Sequence, residues 1–437
     1  MEEPTILIVG AGTFGTSTAY HLAQRYKDPS RVTIIDRWAP DDNCEKHAAA
    51  IDVNRIIRTD YESPLYCNLA NEAIHSWFWT LELGHFFHKT GWVVIDEDDS
   101  GYKANVKKTF QNRGSDYTTE LPVQELAERW EVFRGLETKG HGTAYTNPEA
   151  GWCDAAKATA NFMAAAEKRG VKRVTGEVAQ LLFDSGRKRV LGVRTTDGHS
   201  FTADKIILAT GAWTSSLCSP IEDALKITET DRIERQIQAV GRLSAYYTLS
   251  TDEADRLEST GLPILVYGQR GVLMPPSSQN RTLKVNDLKT EFVNTKTTGS
   301  GHKISVPSVR SQNDVPEKLK RETESLLTYL MPKFAQERKP DRWRICWDAK
   351  TPTDDWLMCK HPHPGLDNLY LAVGGSFHSY KFMPNAGNNG EEKDKAWKWK
   401  AGKELESTEG KELGSKAKNV RRPELRDFEE GARLSRL

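Results

Sequence analysis

The sequence has few cysteines, no long apolar run and no excess of charge of either sign. Six cysteines are scattered through 437 residues without a CxxC pair, which argues against a disulfide framework and against a zinc site, so we expect no metal. No apolar run reaches the roughly 18 residues that a membrane-spanning helix needs. Lys and Arg total 61, as do Asp and Glu. A neutral chain has no surplus of positive charge to attract a polyanion, so we expect neither a nucleic acid nor a membrane as partner.

The N-terminus carries acidic residues where a signal peptide carries basic ones. It reads MEEPTILIVGAG, and its apolar stretch leads straight into glycines rather than into a cleavage site. We interpret residues 6–10 as the first buried strand of an intracellular protein. A chain of 437 residues with 38% hydrophobic residues predicts two or three globular units.

The first unit follows a strand, helix, strand pattern. The apolar run ILIVG precedes the glycine turn GAGTFG, then the helical TSTAYHLAQRY and a second apolar run, RVTIIDR. Such a βαβ unit predicts an α/β fold with a doubly wound, mostly parallel sheet. Further strands are predicted at residues 91–97, 188–196, 205–211, 271–276 and 369–375.

The remaining pattern predicts a second, discontinuous domain. We assign residues 1–84, 151–224 and 341–387 to the nucleotide-binding domain. Residues 85–150 and 225–340, with alternating strands and solvated helices, are assigned to an α+β substrate domain. Residues 388–437 are charged and poor in aliphatic side chains, which predicts a solvated tail.

The glycine turn has the pattern of a dinucleotide-binding loop. Gly10 permits a tight turn, Gly12 lets the backbone approach a pyrophosphate, and Gly15 lets helix and strand pack closely. The helix N-terminus offers free N–H groups to the phosphates. Asp36, at the end of the second strand, is suited to accept hydrogen bonds from a ribose diol and disfavours NADP.

Two later loops favour FAD over NAD as the dinucleotide. KIILATGAW ends a strand at Gly211, and LAVGGSFHSYKFMPNAG places Gly374 and Gly375 at the end of another. A nicotinamide dehydrogenase needs no such loops far from the first motif, whereas the longer flavin dinucleotide contacts several.

Four motifs together resemble the monomeric sarcosine oxidase and amadoriase superfamily. They are GAGTFG, DVNRIIR, RICWDAKTPTDDW and GGSFHSYKFMPN, and the resemblance extends to about residue 387. It implies a glutathione-reductase-like FAD-binding domain, a separate substrate domain, and a monomer that oxidises the C–N bond of an amine with oxygen. It also implies an 8α-S-cysteinyl bond to FAD.

The resemblance implies a role for five residues. Cys346 matches the flavin-linking cysteine, with Arg344 close in sequence to favour its thiolate. Lys284 matches a lysine beside the flavin that stabilises charge developing on oxygen, and Arg55 a basic residue over the flavin. Arg58 and Lys381 match the cations that hold the substrate carboxylate.

The amine itself stays open, because two positions depart from the family pattern. Leu288 stands where fructosyl amino acid oxidases carry an acid, and Asp348 where sarcosine oxidases carry tyrosine. Fructosyl amino acids, sarcosine, pipecolate, saccharopine and an amino acid of secondary metabolism all remain candidates. The alternatives to an oxidase are an FAD dehydrogenase with another acceptor and a flavoprotein without turnover. The final Ser435, Arg436 and Leu437 resemble a peroxisomal address.

Overall fold

The computed structural model describes residues 2–39, 47–96, 101–136, 142–184, 186, 189–268, 270–388, 391–400 and 421–428. The predicted peroxisomal tripeptide at 435–437 lies outside these ranges. Within them, the helices are α1 (Thr13–Arg25), α2 (Pro64–Trp79), α3 (Tyr102–Arg113), α4 (Glu125–Arg129), α5 (Ala155–Lys168), α6 (Thr214–Ala224), α7 (Thr251–Ser259), α8 (Glu317–Leu330), α9 (Pro332–Glu337) and α10 (Glu391–Ala396). In the described part of the chain, no helix has the length and apolarity to span a bilayer.

The strands of the same ranges, in chain order, are β1 (Ile6–Val9), β2 (Val32–Asp36), β3 (Arg55–Ile57), β4 (Phe87–His88), β5 (Trp92–Ile95), β6 (Thr119–Pro122), β7 (Thr143–Asn147), β8 (Gly151–Cys153), β9 (Lys172–Thr175), β10 (Val178–Phe183), β11 (Val190–Thr195), β12 (Ser200–Thr202), β13 (Lys205–Leu208), β14 (Gln238–Thr248), β15 (Ile264–Tyr267), β16 (Gly271–Met274), β17 (Thr282–Asp287), β18 (Thr295–Thr297), β19 (Lys303–Ser305), β20 (Arg342–Lys350), β21 (Leu357–Lys360) and β22 (Leu369–Val373). Each strand predicted from the sequence is confirmed.

The N-terminal βαβ unit builds a six-stranded sheet of order β21-β22-β13-β1-β2-β9. Its strands are parallel except β21, which pairs antiparallel with β22. Ile6 and Ile8 pack with α1 and α5 on one face, while Leu7 and Val9 pack with α6 on the other. Because a strand buried on both faces reads as a continuous apolar run, the sequence pattern predicted this sheet correctly. The predicted doubly wound α/β fold is confirmed.

A second, eight-stranded sheet has the order β20-β14-β17-β16-β15-β5-β7-β6 and is antiparallel apart from the β5–β15 pair. Its outer strand β20 runs against β14 in a ladder from Arg342 to Lys350. The predicted domain boundary at residue 341 therefore falls just before a strand of this sheet. A three-stranded sheet, β3-β8-β4, carries Arg55 at its edge.

The charged C-terminal region differs from the solvated tail that its composition predicts. Trp397 is fully buried against Trp356, with the ring centroids 4.6 Å apart. Residues 421–428 form bridges to Thr290 and Val293, and Phe428 packs edge-on against Phe292. A few aromatic and aliphatic side chains among the charges suffice to dock these described parts, so the prediction of a solvated tail is wrong for them.

Candidate active site

A cleft at the carboxyl ends of the six-stranded sheet unites most of the predicted cofactor-binding residues. It encloses about 300 Å³, and its walls include Gly10, Gly12, Asp36, Gly211, Gly374 and Gly375. Ligands of open α/β sheets bind at this end of the strands, in the crevice where the strand order reverses. These residues come from three distant parts of the chain, as the FAD prediction required.

Each glycine of the first loop is suited to its position for a different physical reason. Gly10 has φ +100°, and a side chain there would also meet the Ala209 carbonyl oxygen at 2.6 Å. A Cβ at Gly15 would lie 1.8 Å from the Gly10 carbonyl oxygen, so Gly15 serves the packing of α1 on β1. At Gly12 a Cβ would meet no atom of the described residues within 4 Å, which leaves the backbone there open to the cleft.

The entrance to α1 fits the phosphates and ribose of a dinucleotide. Gly12 caps the helix without a side-chain hydrogen bond, and the first turn holds no acidic residue. The free N–H groups and the positive end of the helix dipole therefore face the cleft. Asp36 accepts hydrogen bonds from the Ala11 amide at 2.6 Å and the Trp38 amide at 3.1 Å, which fixes its carboxylate on the cleft wall. These residues fit FAD.

The glycine pair opens a loop with unusual backbone angles. Gly374 has φ +81°, and in the same loop Ser376 and Phe377 have φ +48° and +61°. Left-handed angles at non-glycine residues cost energy and persist only where neighbours hold them. Asp348 does so here, because its half-buried carboxylate accepts hydrogen bonds from the Phe377 and Ala349 amides at 2.8 Å each. Burial raises the pKa of Asp348.

Beside the cleft lies a buried cluster of charges, which we call the Asp52 cluster: Asp52, Arg55, Tyr246, Lys284, Arg344 and Cys346. Lys284 Nζ donates to Asp52 Oδ2 at 2.7 Å, and both side chains are 1% exposed. Arg55 also pairs with Asp52, and its Nη2 lies 3.3 Å from Cys346 Sγ. Lys284 and Cys346 were predicted from segments far apart in the chain, and Asp52 and Arg55 together connect them.

The charged groups of this cluster shift one another's pKa values. Burial lowers the pKa of Lys284 to about 8, with Asp52 opposing the shift and Arg55 adding to it. Burial alone would raise the pKa of Asp52, but Lys284, Arg55 and Arg344 together hold it well below its usual range. Asp52 is therefore ionised, and Lys284 titrates close to physiological pH.

Arg58 and Lys381 converge on one side chain, Tyr61. The Arg58 guanidinium carbon lies 4.3 Å from the centroid of the Tyr61 ring and 4.9 Å from that of Trp92. Lys381 Nζ donates to the Tyr61 hydroxyl at 3.0 Å and to the His378 carbonyl at 2.7 Å. Burial, and the neighbouring Arg58, hold the pKa of Lys381 well below its usual range.

The Arg58 guanidinium has an unsatisfied donor. Its Nη1 is buried and has no hydrogen-bond acceptor among the residues that the structure describes. A buried unpaired donor of a charged group is costly, so it marks a place where an acceptor binds. A carboxylate is the acceptor that matches a guanidinium best.

Sequence reasoning missed Asp52, Tyr61 and Tyr246. Asp52 begins the DVNRIIR motif and Tyr61 follows it closely, but nothing local indicates that either would contact residues more than 200 positions away. The roles predicted for Arg55, Arg58, Lys284, Lys381 and Cys346 stay predictions. Residues near them in the chain, namely Ala50, Trp347 and Ser379, line the cofactor cleft.

The chain is similar to known proteins in sequence and in fold. The chain is 25% identical to L-saccharopine oxidase of Schizosaccharomyces pombe, covering 91% of this chain and 93% of that one. It is 25% identical to monomeric sarcosine oxidase of Bacillus sp. strain B-0618, covering 87% and 90%. The deglycating fructosamine oxidase of Aspergillus fumigatus (Amadoriase II) superposes with a TM-score of 0.81 at 23% identity, covering 98% of this chain and 97% of that one.

The family comparison covers most of the chain. Residues 5–388 match the family described as DAO, FAD dependent oxidoreductase. The matched span contains the glycine loop, the cofactor cleft and the Asp52 cluster. The chain belongs to the DAO family of FAD dependent oxidoreductases.

Proposed function

We propose that the protein oxidises the C–N bond of a small secondary or N-substituted amino acid and transfers the electrons to oxygen. The substrate loses two protons and two electrons, from its C–H and N–H bonds, to become an imine, and oxygen takes up two protons and two electrons to become hydrogen peroxide. The names of the relatives, which are oxidases of saccharopine and sarcosine, support this reaction type.

The observation that carries the proposal is the unsatisfied Arg58 beside Lys381. The half-buried Arg58 and the buried Lys381, which meet at Tyr61, form a site for one anion, and a carboxylate supplies two oxygens for them. Aromatic rings of Tyr61 and Trp92 flank the Arg58 guanidinium and keep water away, so each charge-assisted hydrogen bond is strong. An amino-acid substrate would be held here by its carboxylate, with the amine directed toward the cofactor cleft.

FAD, when bound, supplies the acceptor for the substrate's two electrons. The residues of the cleft would hold it: the α1 N-terminus and Asp36 at the pyrophosphate and ribose, and the Gly374 loop farther along. Lys284 provides a buried positive charge for oxygen as it gains electrons, in a place where water does not screen that charge. The protein's own residues thus bind the cofactor, orient the substrate and stabilise the charge that develops on oxygen.

We further propose that FAD is attached through Cys346. Cys346 is one of the free cysteines of the described chain, and its sulfur lies 3.3 Å from Arg55 Nη2. It stands on β20 directly before Trp347 and Asp348, which line the cleft. Cysteines that react are found beside cations and next to a ligand cleft.

The reaction is tested by supplying amines and measuring peroxide. The panel is sarcosine, pipecolate, saccharopine, fructosyl-valine and N-methylated aromatic amino acids. We expect at least one to bleach the yellow flavin without oxygen and to yield one peroxide per turnover with oxygen. Bleaching without peroxide would assign the protein to dehydrogenases that use another acceptor, and no bleaching would indicate a flavoprotein without turnover.

Changing Cys346 to Ser should release the flavin on denaturation. After acid precipitation, wild-type protein should keep its yellow colour in the pellet, whereas the colour of Cys346→Ser should move to the supernatant. Cys359→Ser, at a thiol outside the cleft, is the matched control and should keep a yellow pellet. Flavin in the wild-type supernatant would contradict the covalent bond.

Reoxidation of the reduced enzyme should slow as the pH rises through about 8, the value to which burial lowers the pKa of Lys284. Lysine is charged below its pKa and neutral above it, so the cation that assists oxygen is present on the acid side and lost on the alkaline side. Stopped-flow reoxidation from pH 6 to pH 10 measures this midpoint. A rate that rises across that range would contradict the role of the charge.

A further inference from the structure

One buried carboxylate holds the oxygen-site lysine. Asp52 precedes β3, and its Oδ2 accepts from Lys284 Nζ at 2.7 Å. Its Oδ1 accepts from the Tyr246 hydroxyl at 3.0 Å and lies 3.8 Å from Arg344 Nη1. Together with the ion pair to Arg55, these contacts engage both carboxylate oxygens, which fixes the orientation of the Asp52 side chain.

Asp52 supplies the negative charge that compensates the three cations of this cluster. Lys284, Arg55 and Arg344 are three cations, and Asp52 is the anion that contacts all of them. If that negative charge were absent, the cations would repel one another in a medium that screens them poorly. Arginine keeps its proton in proteins, whereas lysine releases it readily when buried. Lys284 is therefore the member of the cluster that would become neutral.

We propose that Asp52 is a positioning residue that keeps Lys284 charged and directed at the oxygen site. The inference rests on the proposed oxygen role of Lys284 and adds a carboxylate that acts through it. Asp52 need not touch substrate or oxygen itself.

Among the described residues, Lys284 faces Asp52 from the segment before β3, Arg55 from β3, Tyr246 from β14 and Cys346 from β20. Arg344 of β20 contacts the other oxygen of Asp52. Asp52 opposes the effect of burial on the pKa of Lys284, whereas Arg55 reinforces it. Replacing Asp52 with a neutral side chain should therefore lower that pKa further.

The test compares Asp52→Asn with wild type in the purified flavoprotein. Loss of one close opposite charge should lower the midpoint of the reoxidation profile by about 1–2 pH units, and so slow reoxidation at pH 7.5 about 3- to 25-fold. Reoxidation should recover toward the wild-type rate as the pH is lowered, because Lys284 regains its proton. Asp52→Glu keeps the charge and should keep the midpoint closer to that of wild type.

Asp287→Asn is the matched control. Asp287 is a buried carboxylate on β17, the strand of Lys284, and it accepts the Lys289 amide at 2.7 Å. It lies outside the Asp52 cluster, so its substitution should leave the midpoint unchanged. A similar shift in both variants would show a general effect of buried carboxylates and overturn the inference.

A double variant gives a second measurement that does not depend on turnover. Thermal unfolding of the flavoprotein without substrate should show a large loss of Tm for Asp52→Asn and a smaller one when Lys284→Met is already present, because the cation that Asp52 compensates is then gone. Likewise, Asp52→Asn should not slow reoxidation further in the Lys284→Met background. Additive losses in both measurements would overturn the inference.

The outcomes separate this inference from the proposed function. If Lys284→Met slows reoxidation but Asp52→Asn moves neither midpoint nor rate, Asp52 has no such role and the function stands. If Lys284→Met leaves reoxidation unchanged, the proposed oxygen role of Lys284 is wrong. The thermal unfolding of the single and double variants then tests only whether Asp52 stabilises the charge of Lys284. If Asp52→Asn is insoluble but the double variant folds, the pairing is supported. Insolubility of both, with a soluble Asp287→Asn, would assign Asp52 to folding alone and overturn the inference.

Discussion

Lys284→Met should slow reoxidation of the reduced enzyme by about 10²–10³-fold, the usual cost of removing one preorganised electrostatic group. The lysine is fully buried, so water cannot replace its charge when the side chain is removed. Methionine has nearly the same length and keeps the packing. Stopped-flow mixing of reduced enzyme with oxygen measures the rate, and anaerobic reduction by substrate should change only a few-fold.

Lys350→Met is the matched control for this experiment. Lys350 is also a buried lysine in an ion pair, 2.8 Å from Glu291, but on β20 and away from Asp52. Glu291 keeps Arg242 and Arg422 as partners when Lys350 is removed. The control should leave both half-reactions close to wild type. Equal slowing of reduction and reoxidation in Lys284→Met would remove the lysine from the oxygen step.

Arg58→Ala and Lys381→Ala should each lower kcat/KM by about 30- to 150-fold, equivalent to about 2–3 kcal/mol for the loss of one charge-assisted partner. The reason is that both cations contact Tyr61 and can grip one carboxylate. The two losses should be less than additive, because a carboxylate loosened by one substitution has less to lose from the other. Steady-state kinetics of the single and double variants give these values.

The substrate itself provides the control for the proposed carboxylate clamp, that is, the binding of the substrate carboxylate by Arg58 and Lys381. The decarboxylated analogue should be a poor substrate of wild type, and the variants should turn it over nearly as well as wild type does. Arg270→Ala removes another arginine stacked on an aromatic ring, 4.3 Å from the Tyr329 centroid, and should leave kcat/KM unchanged. A wild-type enzyme that oxidises the decarboxylated amine as fast as the amino acid would overturn the clamp.

The cofactor-binding part of the fold was predictable because its signals are local. A buried parallel strand is an apolar run that ends in glycine, and β1, β13 and β22 were each recognised in this way. The glycine spacing of the first loop follows from a tight turn, close packing and a helix N-terminus within a few residues. These requirements act between neighbours in the chain, so the sequence displays them directly.

The C-terminal region shows where composition misleads. A segment rich in Lys and Glu was predicted to be solvated, yet Leu425 and Phe428 are buried, and Arg422 donates to the buried Glu291 at 2.9 Å. Composition is an average over the segment. Docking depends instead on a few apolar side chains within it, and on a buried carboxylate elsewhere in the chain that accepts a hydrogen bond from it.

By itself, the sequence determined the doubly wound sheet and the glycine loops, and its resemblance to a known family pointed to Cys346, Lys284, Arg58 and Lys381 as candidates. Only the tertiary structure decided which of them meet. Lys284 and Asp52 are 232 positions apart, and the pairing of β20 with β14 and the larger sheet brings Cys346 to the same cluster. Whether a lysine is charged, or an arginine unsatisfied, depends on burial and on partners that arrive from distant segments. No local pattern encodes that arrangement, because it arises when the segment before β3 packs against the eight-stranded sheet.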